Sequence, residues 1–326
     1  MYERIMVPLD GTPFGEYAIR YATSIALRSG ATLELVHVHI PAHLEAELFA
    51  VPLFHYTGIV ESDAAYDHDH LVREREQLVE RAQKLSEETG LRVTTRVAVG
   101  AVDRGVEREA EAFGADLIVM STHARTALER ARLGSVGDAV VRHAKALVLL
   151  VHPDATGTAA AAAPVFERIL VPLDGSEFSE RILEPAGRLA LLFGAEVMLL
   201  NVQSSPQPPV FSRAVRDPAG HRTSRSLMVE QYLDHVAARH AGVIRNPVLE
   251  AATAPSPIAG ILDTVRIRKP DLIAMATHAR GGLRRMLLGS TASEVARKAD
   301  VPVLLLRPAA DESRVNKDPV AARTVA

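Results

Sequence analysis

Two rhythms of apolar and polar residues take turns along this chain. Short apolar runs bounded by Gly, Pro or Asp predict β-strands at Arg4–Leu9, Thr32–His39, Arg92–Val99, Asp116–Met120 and Ala146–Val151. The stretches between them predict helices over Gly15–Arg28, His70–Thr89, Val102–Phe113 and Ser135–His143. Gly30, Gly90 and Gly114 follow three of these, where a left-handed C-cap is wanted. The alternation then returns, with strands at Arg168–Leu173, Glu196–Val202, Val243–Ala251, Asp271–Ala276 and Val301–Leu306. Pro257 and Lys269-Pro270 mark the ends of the third helix of this second set. Strand and helix in alternation predict an α/β fold whose mostly parallel sheet is covered on both faces. Two segments break the rhythm, Pro41–Asp69 and Ser204–His221, each long, Pro-containing and placed after a second strand. A lid over the carboxyl ends of the strands and a plain surface insertion are both open readings of them.

The return of the pattern is a true repeat. Arg4-Ile-Met-Val-Pro-Leu-Asp-Gly-Thr12 is matched by Arg168-Ile-Leu-Val-Pro-Leu-Asp-Gly-Ser176, and Asp116-Leu-Ile-Val-Met-Ser-Thr-His-Ala-Arg125 by Asp271-Leu-Ile-Ala-Met-Ala-Thr-His-Ala-Arg280. The first pair lies 164 residues apart and the second 155, far beyond the period of a solenoid repeat, so a whole domain is duplicated. The divisions read from this are residues 1–151 for the first domain, 152–165 for an Ala-rich linker, 166–308 for the second domain and 309–326 for a C-terminal tail.

Composition narrows the function. A net charge of -3, 4% aromatic residues and no Trp give no polyanion-binding face and no stacking platform, so nucleic acid is not an expected partner. The absence of Cys excludes thiolate chemistry, disulfides and Cys-ligated zinc. No apolar run has the length of a membrane span and the first ten residues do not read as an export signal, so a cytoplasmic protein without a membrane partner is expected.

The candidate chemistry sits after the fourth strand of each copy. Gly134-Ser135 and Gly289-Ser290 each open a predicted helix, whose free N–H groups and positive dipole end favour an anion. Arg125, Arg130 and Arg132, with Arg280, Arg284 and Arg285, add cations to the same loops; a plain helix cap beside a solvated basic face fits the same residues. Asp67-His-Asp-His70 has the residue types of a metal site but lacks a third anchored ligand, and reads as the solvated approach to a helix.

On these residues, with Leu35-Val-His-Val38 and the final apolar strands, the chain resembles the universal stress protein family in tandem form. The resemblance implies two doubly wound, Rossmann-like five-stranded sheets of order 3-2-1-4-5, a role in stress survival or signalling, and no enzymatic turnover beyond slow ATP hydrolysis. It implies binding of ATP or a related adenine nucleotide, with Mg²⁺ only alongside the nucleotide. ATP-binding members carry Gly-x-x-Gly, nine residues, then Gly-Ser or Gly-Thr. Both copies here keep the spacing but place Ser121 and Ala124, or Ala276 and Ala279, at the first two Gly positions. A methyl group there costs about 1 kcal/mol where the backbone needs a positive φ.

Position by position, the resemblance puts Asp10 and Asp174 at the adenine, Val38 and Val202 against base or ribose, and Gly134, Ser135, Gly289 and Ser290 at the phosphates. His123, Arg125, His278 and Arg280 lie within the loops. Each Asp fits an Asx-turn equally well, and each Val fits a core position. Other protein partners are not named by any motif, and a scaffold without nucleotide is the alternative function. The apolar last strands are expected at the sheet edges, pairing antiparallel within one chain so that the tandem mimics a dimer.

Overall fold

In the computed structural model of the chain, each strand of the predicted alternation takes its place in one continuous sheet. The structure describes residues 2–12, 15–41, 44, 60–122, 135–152, 163–205, 210–213, 224–277 and 290–307. In the first half these form β1 (Arg4–Leu9), α1 (Gly15–Ser29), β2 (Thr32–His39), α2 (Val60–Thr89), β3 (Val93–Val99), α3 (Val102–Phe113), β4 (Leu117–Ser121), α4 (Ser135–His143) and β5 (Leu147–Val151). In the second they form β6 (Arg168–Pro172), α5 (Glu177–Glu180), α6 (Leu183–Phe193), β7 (Glu196–Ser204), β8 (Val210–Arg213), α7 (Ser224–Arg239), β9 (Val248–Ala254), α8 (Pro257–Arg268), β10 (Leu272–Ala276), α9 (Ser290–Lys298) and β11 (Val303–Leu306).

The strand order is β3-β2-β1-β4-β5-β11-β10-β6-β7-β9-β8. Within each half the neighbouring main strands are parallel, in the order 3-2-1-4-5. At the centre β5 meets β11 antiparallel, with Leu150 opposite Val303, Leu149 opposite Leu304 and Val148 opposite Leu305.

Side chains alternate across the sheet as the pleat requires. Ile5, Val7, Leu33, Leu35, Val119 and Leu149 enter one core under α1, α2, α6 and α7, while Met6, Val36, Ile118, Met120, Val148 and Leu150 enter the other under α3, α4, α8 and α9. Both cores run through the two halves without a break. Phe166, fully buried just before β6, is packed edge-on to Phe193 at 4.8 Å between ring centroids and stands 6.0 Å from Tyr21, so an aromatic of the second half and one of the first clamp the same ring. Ser24 on α1 donates to the carbonyl of Pro164 at 2.5 Å, and Tyr2 donates to that of Pro185 at 3.1 Å.

The repeated Asp that opens each second motif has a structural task. One carboxylate oxygen of Asp116 accepts from the backbone N–H of Glu3 and Arg4 at 2.7 and 3.1 Å, and Asp271 does the same for Glu167 and Arg168 at 2.8 Å each. Both strands that begin a half are therefore held by the turn before the fourth strand.

Three elements differ from the sequence expectation. The strand expected at Val243–Ala251 starts at Val248 and runs to Ala254, because Val243 and Ile244 close the turn after α7, each N–H donating to the carbonyl of His240 at 2.9 Å. The helix expected from His70 begins at Val60, so the last third of the Pro41–Asp69 segment is helical; its acidic and polar residues show no apolar period, and the helix extends from the anchored turns of Leu78, Ala82 and Leu85. The Ser204–His221 segment contains β8, which pairs antiparallel with β9 and gives the second half a sixth strand. A four-residue strand of this kind depends on an open neighbour for its hydrogen bonds and has little local signature. Among the described residues no helix is long and apolar enough to cross a membrane.

His152, directly after β5, crosses the joint. Its Nε2 lies 2.8 Å from the carbonyl oxygen of Ala296 on α9, an acceptor only, so Nε2 carries the proton and donates, while Nδ1 is buried with no hydrogen bond. Burial pushes its pKa below the ordinary 6.5. The unfolded chain then takes up this proton before the folded one, so the stabilisation from neutral His152 is complete above about pH 6.5 and is lost as the pH falls. We expect urea unfolding midpoints to fall between about pH 7.5 and 5.5. His152→Gln, which keeps a donor for Ala296, removes up to one proton's share of that slope, about 1.4 kcal/mol per pH unit. An unchanged slope in the variant would exclude His152 as the titrating group.

Candidate functional site

The turn after β1 is built from Asp-Gly-Thr. One carboxylate oxygen of Asp10 accepts from the N–H and hydroxyl of Thr12 at 3.0 and 2.7 Å, and Gly11 adopts φ 74°. The second copy repeats the arrangement with Asp174, Ser176 and Gly175 at φ 87°. Both turns need a left-handed residue at the centre, and Gly supplies it without strain. Each Asp is thus an Asx-turn former. Asp10 also lines a cavity of about 550 Å³ at the carboxyl ends of β1, β2 and β4.

That cavity is where an open α/β sheet takes its ligands, between strands diverging from the reversal of strand order. Its apolar lining comes from Val36, Val38, Val102, Val106, Met120 and Val136, and its polar lining from Asp10, His37, His39, Asp67, His70, Glu74, Ser121 and Thr122. Thr122 is fixed by its N–H donating to the carbonyl of Val151 at 2.9 Å, which sets where the loop leaves β4. Gly137 in the first turn of α4 also lines it. The size suits a small organic ligand with an apolar body and a few polar anchors.

Of the residues expected at the site, Asp10, Val38 and Ser121 come together in this cavity. Ser135 begins α4 beside it, through the next residues Val136 and Gly137. His123, Ala124, Arg125 and Gly134 lie outside the described residues, as do His278, Ala279, Arg280 and Gly289 of the second copy. There, Asp174 forms its turn, Val202 is on β7, Ala276 ends β10 and Ser290 opens α9, exposed.

The second half carries a polar network of its own near that turn. Buried Glu180 on α5 accepts from the Tyr232 hydroxyl at 3.1 Å and from Arg239, tying α5 to α7. Burial first, then the Glu180 carboxylate, pushes the Tyr232 hydroxyl well above its ordinary 10.0.

The sequence expectation passed over His37, His39 and Glu74. His37 and His39 are two apart on β2 and so share a face, the one turned toward α2. His39 Nδ1 lies 2.8 Å from Glu74 Oε2, and His37 Nε2 lies 3.4 Å from Glu74 Oε1. The Asp67-His-Asp-His70 run is corrected by the same geometry. Instead of a solvated approach, it is part of α2, with His70 one turn and Asp67 two turns before Glu74, both turned inward, and with His68 and Asp69 exposed. Among the described residues no group of three or more such side chains is placed to hold a metal ion.

Comparison with known proteins agrees with the repeat. The family model described as "Universal stress protein family" matches residues 1–152 and again 166–307. A universal stress protein of Mycolicibacterium smegmatis is 27% identical over 306 residues, covering 93% of this chain and 97% of that protein. One from Mycobacterium tuberculosis strain H37Rv is 26% identical over 313 residues, covering 93% and 94%. Among solved structures, a universal stress protein from Archaeoglobus fulgidus superimposes with a TM-score of 0.65 at 19% identity, covering 95% of this chain and 97% of that one.

Val38 is held in place by Gly105 on α3. A Cβ at Gly105 would lie 2.8 and 2.9 Å from the two methyl groups of Val38, closer than packed atoms tolerate. Gly105→Ala is therefore expected to push Val38 toward the cavity and to destabilise the protein by about 1–3 kcal/mol, read from urea unfolding. An unshifted midpoint would mean that β2 accommodates the methyl group freely.

Proposed function

This chain belongs to the universal stress protein family in tandem form, and from that premise we propose that its first half binds ATP or a related adenine nucleotide in a stress-response or signalling role. The observation that carries the proposal is the cavity of about 550 Å³ in which Asp10, Val38 and Ser121 converge with the first turn of α4. The residues fit such a ligand. Val36, Val38, Val102 and Met120 supply an apolar bed for a base and ribose, Asp10 a carboxylate for polar groups of the nucleoside, and the N-terminal turn of α4 its backbone N–H groups for phosphate oxygens. Mg²⁺ enters with the phosphates, without a protein site of its own.

We read the protein as a binder whose occupancy is sensed by protein partners, rather than as an enzyme. Hydrolysis needs a positioned base or a held water, and the Asp10 carboxylate that lines the cavity is engaged by the N–H and hydroxyl of Thr12 in its own turn. A scaffold that takes no nucleotide is the second reading. It is favoured by Ser121, Ala124, Ala276 and Ala279, which stand where ATP-binding relatives are expected to carry Gly.

Protein purified without added nucleotide and then denatured should release adenine nucleotide, and stripped protein should bind ATP by titration. Asp10→Asn, which keeps an acceptor for Thr12 but loses the charge, should weaken binding about tenfold, or ~1.4 kcal/mol. No released nucleotide together with no binding at millimolar ATP would transfer the assignment to the scaffold reading.

A further inference from the structure

We propose that His37 and Glu74 form a protonation-dependent latch that positions α2 as the wall of the first-half cavity. The proposal takes that cavity as the ligand site described above, while the latch itself operates without ligand.

The second half supplies the comparison. Asn201, at the β7 position matching His37, donates through Nδ2 to the carbonyl of Leu173 at 2.9 Å, as His37 Nδ1 does to that of Leu9 at 2.9 Å. A carboxamide is therefore enough to tie the second strand of a half to the end of its first. What the imidazole adds is a second nitrogen, and that nitrogen faces Glu74.

The protons can be counted. The Leu9 carbonyl only accepts, so His37 Nδ1 carries a proton. A neutral ring then turns the Nε2 lone pair toward a carboxylate oxygen 3.4 Å away, which repels it; a second proton converts the same contact into a charge-assisted attraction. Glu74 is further engaged by His39, whose Nδ1 is 2.8 Å from Oε2. His39 Nε2, on a side chain only 7% exposed, has no hydrogen bond and lies 3.9 Å from Asp67 Oδ1, so a proton there likewise adds an attraction to α2. The other groups facing this array are His70 on α2 and Asp10 at the end of β1, while β3 presents uncharged Val97 and Val99 opposite His37 and His39.

Apolar contact is sparse beside these groups. Among the described side chains of α2, the buried ones are Leu78, Ala82 and Leu85, all beyond Glu74; between Asp67 and Glu74, Leu71 is half-buried and Val72 exposed, and the inward-facing polar groups are Asp67, His70 and Glu74. With the imidazoles protonated the wall is closed and the acidic charge at the cavity is offset. With them neutral, the His39 Nδ1–H bond to Glu74 remains, but the attractions of His37 to Glu74 and of His39 to Asp67 are lost. Asp10, Asp67 and Glu74 then leave net negative charge facing an anionic ligand, and α2 loosens. His37 and Glu74 are thus positioning residues that make the pocket tighter in mild acid.

Hydrogen exchange on the full-length, nucleotide-free protein tests this at about pH 6 and 8, after correction for intrinsic exchange rates. Peptides spanning residues 60–77 should lose about tenfold in protection at the higher pH, while those from 78–89 hold theirs. The double variant His37→Asn/His39→Asn, which retains the strand tie as Asn201 does and removes both rings, should leave protection of 60–77 low and independent of pH, and Glu74→Gln should reduce the pH dependence to the share carried by His39 and Asp67. A flat wild-type profile, or a pH dependence undiminished in either variant, would overturn the latch. ATP titrations of the same samples separate the two proposals: a pH-dependent wall in a protein that binds no nucleotide retains the latch and removes only the ligand assignment.

Discussion

The antiparallel pairing of β5 with β11 is the contact on which the rest of the architecture depends. Each half of the chain, taken alone, ends its sheet on an apolar strand whose outer backbone groups lack partners. Leu147–Val151 and Val303–Leu306 resolve this for each other, and in doing so they merge two cores into two shared layers. Everything nearby is fitted to that joint. Phe166 sits between aromatic rings of both halves, His152 reaches the carbonyl of Ala296, and Thr122 and Thr277 each hydrogen-bond the end of their own half's last strand. The loops that leave the fourth strands therefore start from a frame set by the joint.

Much of this frame was legible in the residues. Strands such as Arg4–Leu9 and Thr32–His39, and the helix Val102–Phe113, are local matters: apolar periodicity and Gly or Asp punctuation determine them, and their observed limits coincide with the expected ones. Elements that owe their existence to a distant neighbour were not legible. The first turns of α2 follow from propagation of a helix anchored further on, and β8 follows from the open side of β9. At the site the division is the same. Asp10, Val38 and Ser121 stand in motifs that carry the family resemblance and could be named through it. Glu74 could not, because its relation to His39 joins residues 35 apart in sequence through packing of a helix on a sheet.

The two copies show how a duplicated domain separates scaffold from site. The clamps by Asp116 and Asp271, the Asx-turns at Asp10 and Asp174, and the strand tie through His37 or Asn201 are retained with nearly the same distances, since both sheets need them. Around them the chemistry has diverged. The first half surrounds its crevice with imidazoles and carboxylates from β2 and α2, whereas the second invests in a Glu180–Tyr232–Arg239 network between α5 and α7. A symmetric homodimer would have to carry the same residues at both positions; a covalent tandem is free of that restriction.

Because all five main strands of one half are parallel, and the joint reverses direction, the carboxyl ends of the two sets of strands emerge on opposite rims of a single sheet. The molecule accordingly has two addresses. The Asp10 turn and the Asp174 turn therefore look out from opposite rims of that sheet, so a duplication that repeats the motif has also turned it about.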